Sequence, residues 1–185
     1  MGDLHVDNIY LNVCSKDSAI YFPLNKADNF RVKLAKPLNL TGCWKLGLCE
    51  IHLCNIDLKN TIVKAKINKN VNSVGGNDDG SDDGSDDNDD NDAPIEVTNV
   101  RDIPAICIDC SVCTGLIVNG VQTRTIRKVW GKKNIYKVFP IVYYVPIEKG
   151  YIDTIQFNIY TSVGTPVSFD TTYGSVEMTL RLKRC

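Results

Sequence analysis

Histidine is nearly absent from this sequence, which holds only His5 and His52. Histidine is the most frequent general acid or base in enzyme sites and a frequent metal ligand, so a cupin-type zinc enzyme, the weakest of three hypotheses, would need a cluster of it. Two isolated histidines form neither an acid–base site nor a metal site. The sequence also lacks the phosphate-binding motifs GxGxxG and GxxxxGK[ST] and any paired-carboxylate motif. We therefore expect a protein that is not an enzyme and that uses no cofactor, metal or small-molecule substrate.

Long apolar runs are missing as well, since no stretch approaches the roughly 18 residues that a membrane helix needs. The N-terminal residues carry neither the basic nor the apolar region of a signal peptide, so we expect no leader and no membrane span. The 185 residues suit one domain, spanning 1–185, with a long insertion. Without a secretory signal, the eight cysteines are expected to be reduced thiols rather than a disulfide framework.

Short runs in which apolar and polar residues alternate are abundant. The clearest is Val176–Lys183, which predicts a core strand, and Ile155–Ile159 predicts a partner strand for it. The run Cys43–Cys54 is apolar on both faces, which indicates a central strand or one bulged near Gly47. Ala19–Phe22 is also predicted to be a strand.

Further runs extend this pattern along the chain, and no helical period competes with them. A tight Asn119–Gly120 turn is predicted between two of them, and strands are also expected at Thr61–Ile67 and Ile95–Val97. Roughly eight to ten short strands with turn signals at close intervals favour an all-β sandwich or jelly roll.

One segment departs from this pattern. Residues 75–92 read GGNDDGSDDGSDDNDDND and contain nine aspartates and no apolar side chain. Such a segment cannot offset its ordering entropy, so it is predicted to be a disordered acidic loop inserted between strands. It lacks the apolar positions of a calcium-binding β-roll and the terminal glutamate of an EF-hand. Without these aspartates, 13 acidic residues stand against 21 basic ones, which leaves a body of charge +8.

The spacing CxxCxxC at Cys107, Cys110 and Cys113 is a possible metal motif. The intervening residues alternate like a strand, which places Cys107 and Cys113 on one face and Cys110 on the other. We therefore interpret the three as small buried hydrophobic residues. A second group of residues is basic and comprises Arg124, Arg127, Lys128, Lys132, Lys133, Arg181, Lys183 and Arg184. These residues could be the solvated face of two strands. Alternatively, they could contact nucleic acid or an acidic partner.

Two blocks of the sequence resemble a known family. Residues 21–51, YFPLNKADNFRVKLAKPLNLTGCWKLGLCEI, resemble a segment in which a Phe-Pro-x-Asn turn precedes a Phe-x-Val-x-Leu strand, a Pro-Leu-x-Leu loop and a Gly-x-Trp-x-Val-x-Leu-x-Glu-Ile strand. Residues 143–184 resemble its C-terminal block, which ends in Gly-x-Val-x-x-Thr-Leu-x-x-Arg. The family is the minor capsid (penton) protein of polinton/Maverick elements and adintovirus-like viruses.

This resemblance implies a single jelly roll of about eight antiparallel strands. It further implies a viral structural protein of the virion capsid, assembled inside the host cell in the nucleus or cytoplasm. Homo-pentamers would occupy the five-fold vertices of an icosahedral shell, beside a double-jelly-roll major capsid protein. The alternative is a jelly-roll module that binds a receptor or ligand as a trimer. Rigid tyrosines near strand ends suit an interface, and the expected contact residues are Arg124, Arg127, Tyr143, Tyr144 and Tyr151.

Overall fold

The computed structural model describes residues 7–57, 59–61, 105–118 and 121–185. These residues form one helical turn at 59–61 and eleven strands. The strands are β1 Asn8–Cys14, β2 Asn29–Asn39, β3 Trp44–Cys54, β4 Ile106–Cys110, β5 Leu116–Val118, β6 Val121–Thr123, β7 Thr125–Val129, β8 Ile135–Val138, β9 Tyr144–Pro146, β10 Tyr151–Thr161 and β11 Ser175–Arg184. No helix in this described part is long and apolar enough to cross a membrane.

Nine of the strands form two antiparallel sheets that face each other. Sheet A has the order β1-β11-β3-β8, with β9 also paired to β3, and sheet B has the order β2-β10-β4-β7. Strands that follow one another in the chain therefore occupy corresponding positions in the two sheets, which is the arrangement of a jelly roll. The predicted all-β fold class is confirmed. The short strands β5 and β6 pair with each other apart from the two sheets, with Val118 opposite Val121. The predicted Asn119–Gly120 turn lies outside the described residues.

The core lies between the two sheets, and alternation along β10 and β11 fills it. Val176, Met178, Leu180 and Leu182 of β11 are buried, as are Ile155, Phe157 and Ile159 of β10. The predicted core strand is thus confirmed. The predicted pairing of these two strands is wrong, because β11 pairs with β1 and β3 in sheet A while β10 pairs with β2 and β4 in sheet B. The connection at 162–174 crosses from one sheet to the other instead of closing a hairpin.

The apolar character of both faces of β3 has two causes, and both were among the alternatives. The strand is central in sheet A, and it contains a bulge, since Thr179 pairs with Glu50 whereas Leu180 pairs with Leu48. Cys49 is therefore an extra residue on β3. The bulge changes the spacing of the buried side chains, so that Leu48 and Ile51 both point into the core although they are three positions apart.

A disulfide bond joins Cys43 to Cys185, and the expectation that all eight cysteines are reduced is therefore wrong. The reason is the register of β3 and β11, which ends with Trp44 opposite Arg184. The residues just beyond this pair then lie opposite each other, with their Cα atoms 5.4 Å apart. The Cys185 amide also donates a hydrogen bond of 2.9 Å to the Cys43 carbonyl oxygen. This pairing becomes visible only once the register is known.

The predicted strand at Ala19–Phe22 is wrong, because these residues form turns in the β1–β2 connection. This connection runs along the outer edge of β2. The Ser18 hydroxyl oxygen accepts a hydrogen bond from the Lys33 amide, and the Asn25 side chain bonds both the amide and the carbonyl of Arg31. Side chains therefore satisfy part of an edge that would otherwise be free to pair with another chain.

Three further predictions fall outside the described residues. They are the disordered loop at 75–92, the strand at 95–97 and all of the strand at 61–67 except Thr61, which belongs to the helical turn. They remain predictions.

Candidate functional site

Two of the five expected contact residues, Arg127 and Tyr143, lie together. The guanidinium carbon of Arg127 lies 4.4 Å from the centre of the Tyr143 ring and 4.1 Å from that of Phe139. Arg127 belongs to β7 of sheet B, whereas Phe139 and Tyr143 belong to the connection between β8 and β9 of sheet A. The cation therefore stacks between two rings at the place where the sheet edges meet. Cation–π contacts of this kind stabilise by about 0.5–2 kcal/mol each.

The other three expected residues have different neighbours. Arg124 approaches Glu148 at 4.0 Å, and because both side chains are more than half exposed, this ion pair contributes little. Tyr144 lies on β9 opposite Gly47, with the Lys183 ammonium group 5.8 Å from its ring centre. Tyr151 is exposed at the start of β10, where it pairs with Asn39 of β2. Since β2 and β7 are opposite edges of sheet B, Tyr151 does not belong to the group around Arg127.

A groove of about 560 Å³ lies beside Arg127. It is lined by Cys107, Thr123, Thr125, Ile126, Arg127, Lys128, Trp130, Tyr143, Tyr160 and Ser162. Most of these residues belong to β7 or lie near its ends. The lining contains two cationic side chains and no carboxylate, so the groove presents positive charge framed by exposed Trp130 and Tyr143. We call it the Arg127 groove.

A short hydrogen-bond chain links two lining residues of the Arg127 groove, Thr125 and Tyr160, to Asp109, which does not line the groove. The Tyr160 hydroxyl donates to the Asp109 carboxylate at 2.8 Å and lies 3.0 Å from the Thr125 hydroxyl. Partial burial, with the nearby Asp109 carboxylate, raises the pKa of Tyr160 to about 12. The phenol therefore stays neutral at physiological pH. No local pattern predicts this contact, because its three residues come from the three separate strands β4, β7 and β10.

Exposed apolar side chains are concentrated on two opposite sides of the sandwich. Among the described residues, eleven large apolar side chains are exposed. Four of them, Tyr10, Ile20, Tyr21 and Leu24, lie on β1 or on the β1–β2 connection, and we call this surface the β1–β2 edge. Five others lie between the end of β7 and the start of β9, on a surface that we call the β7–β8 edge; they are Trp130, Tyr136, Val138, Ile141 and Tyr143.

The two edges were largely missed from the sequence. Strands β1 and β2 begin the two sheet orders and β8 and β7 end them, so the edges follow from strand order and not from local pattern. Ile20 is 87% exposed, although its apolar character favoured a strand, and Leu24, which follows in the Pro23–Asn25 turn, is 90% exposed. The available signal was the density of turn residues around them, from Ser15 to Ser18 and from Pro23 to Asn25.

The cysteines of the CxxCxxC motif are buried, as the packing interpretation predicts. Their arrangement differs from the predicted one, because β4 ends at Cys110 and a turn follows. This turn places Cys113 beside Cys110 instead of on the face of Cys107. A hydrogen bond from the Cys110 side chain, together with burial, raises the pKa of Cys113 well above its usual range. Within the described residues, no group of three or more His, Cys, Asp or Glu could hold a metal ion.

Comparison with known proteins supports the fold. No family model matches the chain, and no curated protein matches it in sequence. Among solved structures, the chain is similar to the mavirus penton protein, with a TM-score of 0.53 and 11% sequence identity over 96% of this chain and 100% of that protein. The similarity spans both sheets and is distant in sequence. The chain therefore has the β-sandwich jelly-roll fold of a penton protein, the type of protein that its sequence resembles.

Proposed function

We propose that this protein is a penton, the minor capsid subunit that forms homo-pentamers at the five-fold vertices of an icosahedral virion. The observation that carries the proposal is the presence of two different apolar edges on opposite sides of one sandwich. A self-complementary dimer needs one patch, whereas two distinct patches allow the β1–β2 edge of one copy to meet the β7–β8 edge of the next. Repetition of such a contact closes a ring.

The number five and the partner come from the resemblance, and the penton-like fold supports the penton role itself. The neighbour in the shell would be a double-jelly-roll major capsid protein. In this role the protein performs no catalysis and acts in the virion capsid, after assembly inside the host cell. The ring contact would bury tyrosines and aliphatic side chains of the kind that are enriched at interface cores.

Sedimentation velocity with electron microscopy of the purified protein tests the ring. The expected result is a closed five-fold ring. Leu24→Glu on one edge and Ile141→Glu on the other should each weaken association about tenfold or more, because each places a charge in an apolar contact. Tyr173→Glu is the matched control, since Tyr173 is 70% exposed, close to the 69% of Ile141, and lies outside both edges.

A mixture of the two edge variants distinguishes a head-to-tail contact from a symmetric one. Leu24→Glu retains an intact β7–β8 edge and Ile141→Glu retains an intact β1–β2 edge. A head-to-tail contact therefore predicts that the mixture forms heterodimers and nothing larger. A wild-type protein that stays monomeric at high concentration would contradict self-assembly outside a shell. A stable trimer would favour the receptor- or ligand-binding module instead.

A further inference from the structure

Two buried polar atoms in the described chain have no hydrogen-bond partner, and both belong to residues that line the Arg127 groove. They are the Thr123 hydroxyl oxygen and the Arg127 Nη1 atom. A buried donor without an acceptor costs about 1–3 kcal/mol, and more when the group is charged. Since both residues line the same groove, a group bound there could supply hydrogen-bond partners for them.

The chemistry of the groove indicates an anionic group. Arg127 is fixed between Phe139 and Tyr143, which orients its guanidinium before any ligand arrives. Lys128 adds a second positive charge, and no lining residue is acidic. A guanidinium binds a carboxylate with paired, charge-assisted hydrogen bonds, and Thr123 can donate one more. A carboxylate is therefore the complementary group.

The free edge of β7 next to the groove indicates that the carboxylate belongs to an extended peptide. β7 is the last strand of sheet B, and none of the described residues pairs with its outer edge. A free edge offers backbone donors and acceptors to an added strand, as in β-augmentation. Exposed Trp130 and Tyr143 at the groove supply apolar contact for alternate side chains of such a strand. A nucleic acid would leave these backbone groups unused.

We infer that the Arg127 groove binds an acidic peptide segment of another protein chain, which adds to the edge of β7 and places a carboxylate on Arg127 and Thr123. The carboxylate site at Arg127 differs in chemistry from the apolar ring contact, although Trp130 and Tyr143 belong to both surfaces. The inference does not depend on the ring, because the groove is complete within one copy.

Fluorescence anisotropy with a short labelled peptide of alternating valine and aspartate tests this site. Binding to the full-length protein should saturate, and the same peptide with asparagine in place of aspartate should bind at least about tenfold more weakly. Arg127→Met should weaken binding by about tenfold or more and Thr123→Val by severalfold. Arg181→Met is the matched control, because Arg181 also stacks on a ring, that of Tyr10 at 5.6 Å, but lies on sheet A.

Arg127→Lys is a control for the case in which Arg127→Met loses binding because it does not fold. It keeps the positive charge but loses the planar guanidinium and its stacking on Phe139 and Tyr143, so it should weaken binding less than Arg127→Met, and its melting temperature shows whether the domain still folds. Equal affinity for wild type and Arg127→Met, or an equal loss in Arg181→Met, would overturn the inference, since the binding would then be general charge attraction. Stronger competition from duplex DNA than from the acidic peptide would also overturn it.

Replacement of residues 75–92 by a Gly-Ser linker decides the source of the carboxylate. Unchanged affinity for the peptide supports a separate chain as the partner. A rise of about tenfold would mean that the protein's own aspartates compete for the groove, and the assignment to another chain would then be wrong.

Discussion

Gly47 of β3 lies directly under Val142, in contact with the segment that leads into β9. A Cβ atom at position 47 would collide with Val142 Cγ1 and would lie 3.0 Å from the Tyr143 carbonyl oxygen. Glycine is therefore required here for close approach of two backbones. This approach positions Tyr143, and with it the stack on Arg127.

Gly47→Ala should destabilise the fold by about 1–3 kcal/mol, because the added methyl group must displace residues 142–144. Chemical denaturation measures the change. The double variant Gly47→Ala with Val142→Ala should recover a substantial part of the loss, since it removes the colliding methyl groups. A double-mutant cycle with no coupling free energy between positions 47 and 142 would show that contact with Val142 does not cause the loss of stability.

Leu180→Asp should unfold the domain, at a cost of about 4 kcal/mol or more. Leu180 is fully buried on β11, and an unpaired carboxylate is not tolerated there. Lys183→Asp, three positions further on an exposed site, serves as the control and should remain folded. Circular dichroism and thermal melting report both outcomes, and a well-folded Leu180→Asp protein would contradict the assignment of β11 to the core.

Reduction of the Cys43–Cys185 disulfide should lower stability by about 2–4 kcal/mol, because the bond closes a loop with a sequence separation of 142 residues. Melting is compared with and without dithiothreitol. Cys185→Ser should reproduce the loss and abolish the sensitivity to reductant. Wild-type protein that melts identically under both conditions would argue against the bond or against its contribution.

Replacing residues 75–92 by a short Gly-Ser linker should leave the melting temperature within a few degrees. The segment has no apolar side chain to bury, and a change of loop length alters the closure entropy only slightly. A large loss of stability at low ionic strength that disappears in salt would mean that the aspartates pair with the basic body.

Local pattern accounts for what could be predicted. Val176 to Leu182 alternate in sequence and in burial, because period two is a property of the strand itself. The fold class follows from many such strands. The same reasoning gave wrong predictions at two positions. Ile20 lies in a turn and is exposed, and Cys113 follows a turn and lies beside Cys110 instead of on the face of Cys107.

Relationships between distant strands could not be predicted. Cys43 and Cys185 pair because of the β3–β11 register, and Arg127 meets Tyr143 because two sheet edges converge. The interface residues were chosen by residue type, which grouped Tyr151 with Arg127 although strand order separates them. The two apolar edges likewise required the strand order, since their members are scattered from Tyr10 to Tyr143.

The position of β11 has a consequence for biosynthesis. This strand pairs with β1 on one side and β3 on the other, and Asn8 is matched to Lys183. In a nascent chain, β1 and the edge of β3 that faces β11 therefore stay unpaired until residues 175–184 have left the ribosome, although β3 can already pair with β8 and β9 on its other edge. Sheet A is therefore completed only when β11 is inserted between β1 and β3, two strands that are distant from it in sequence.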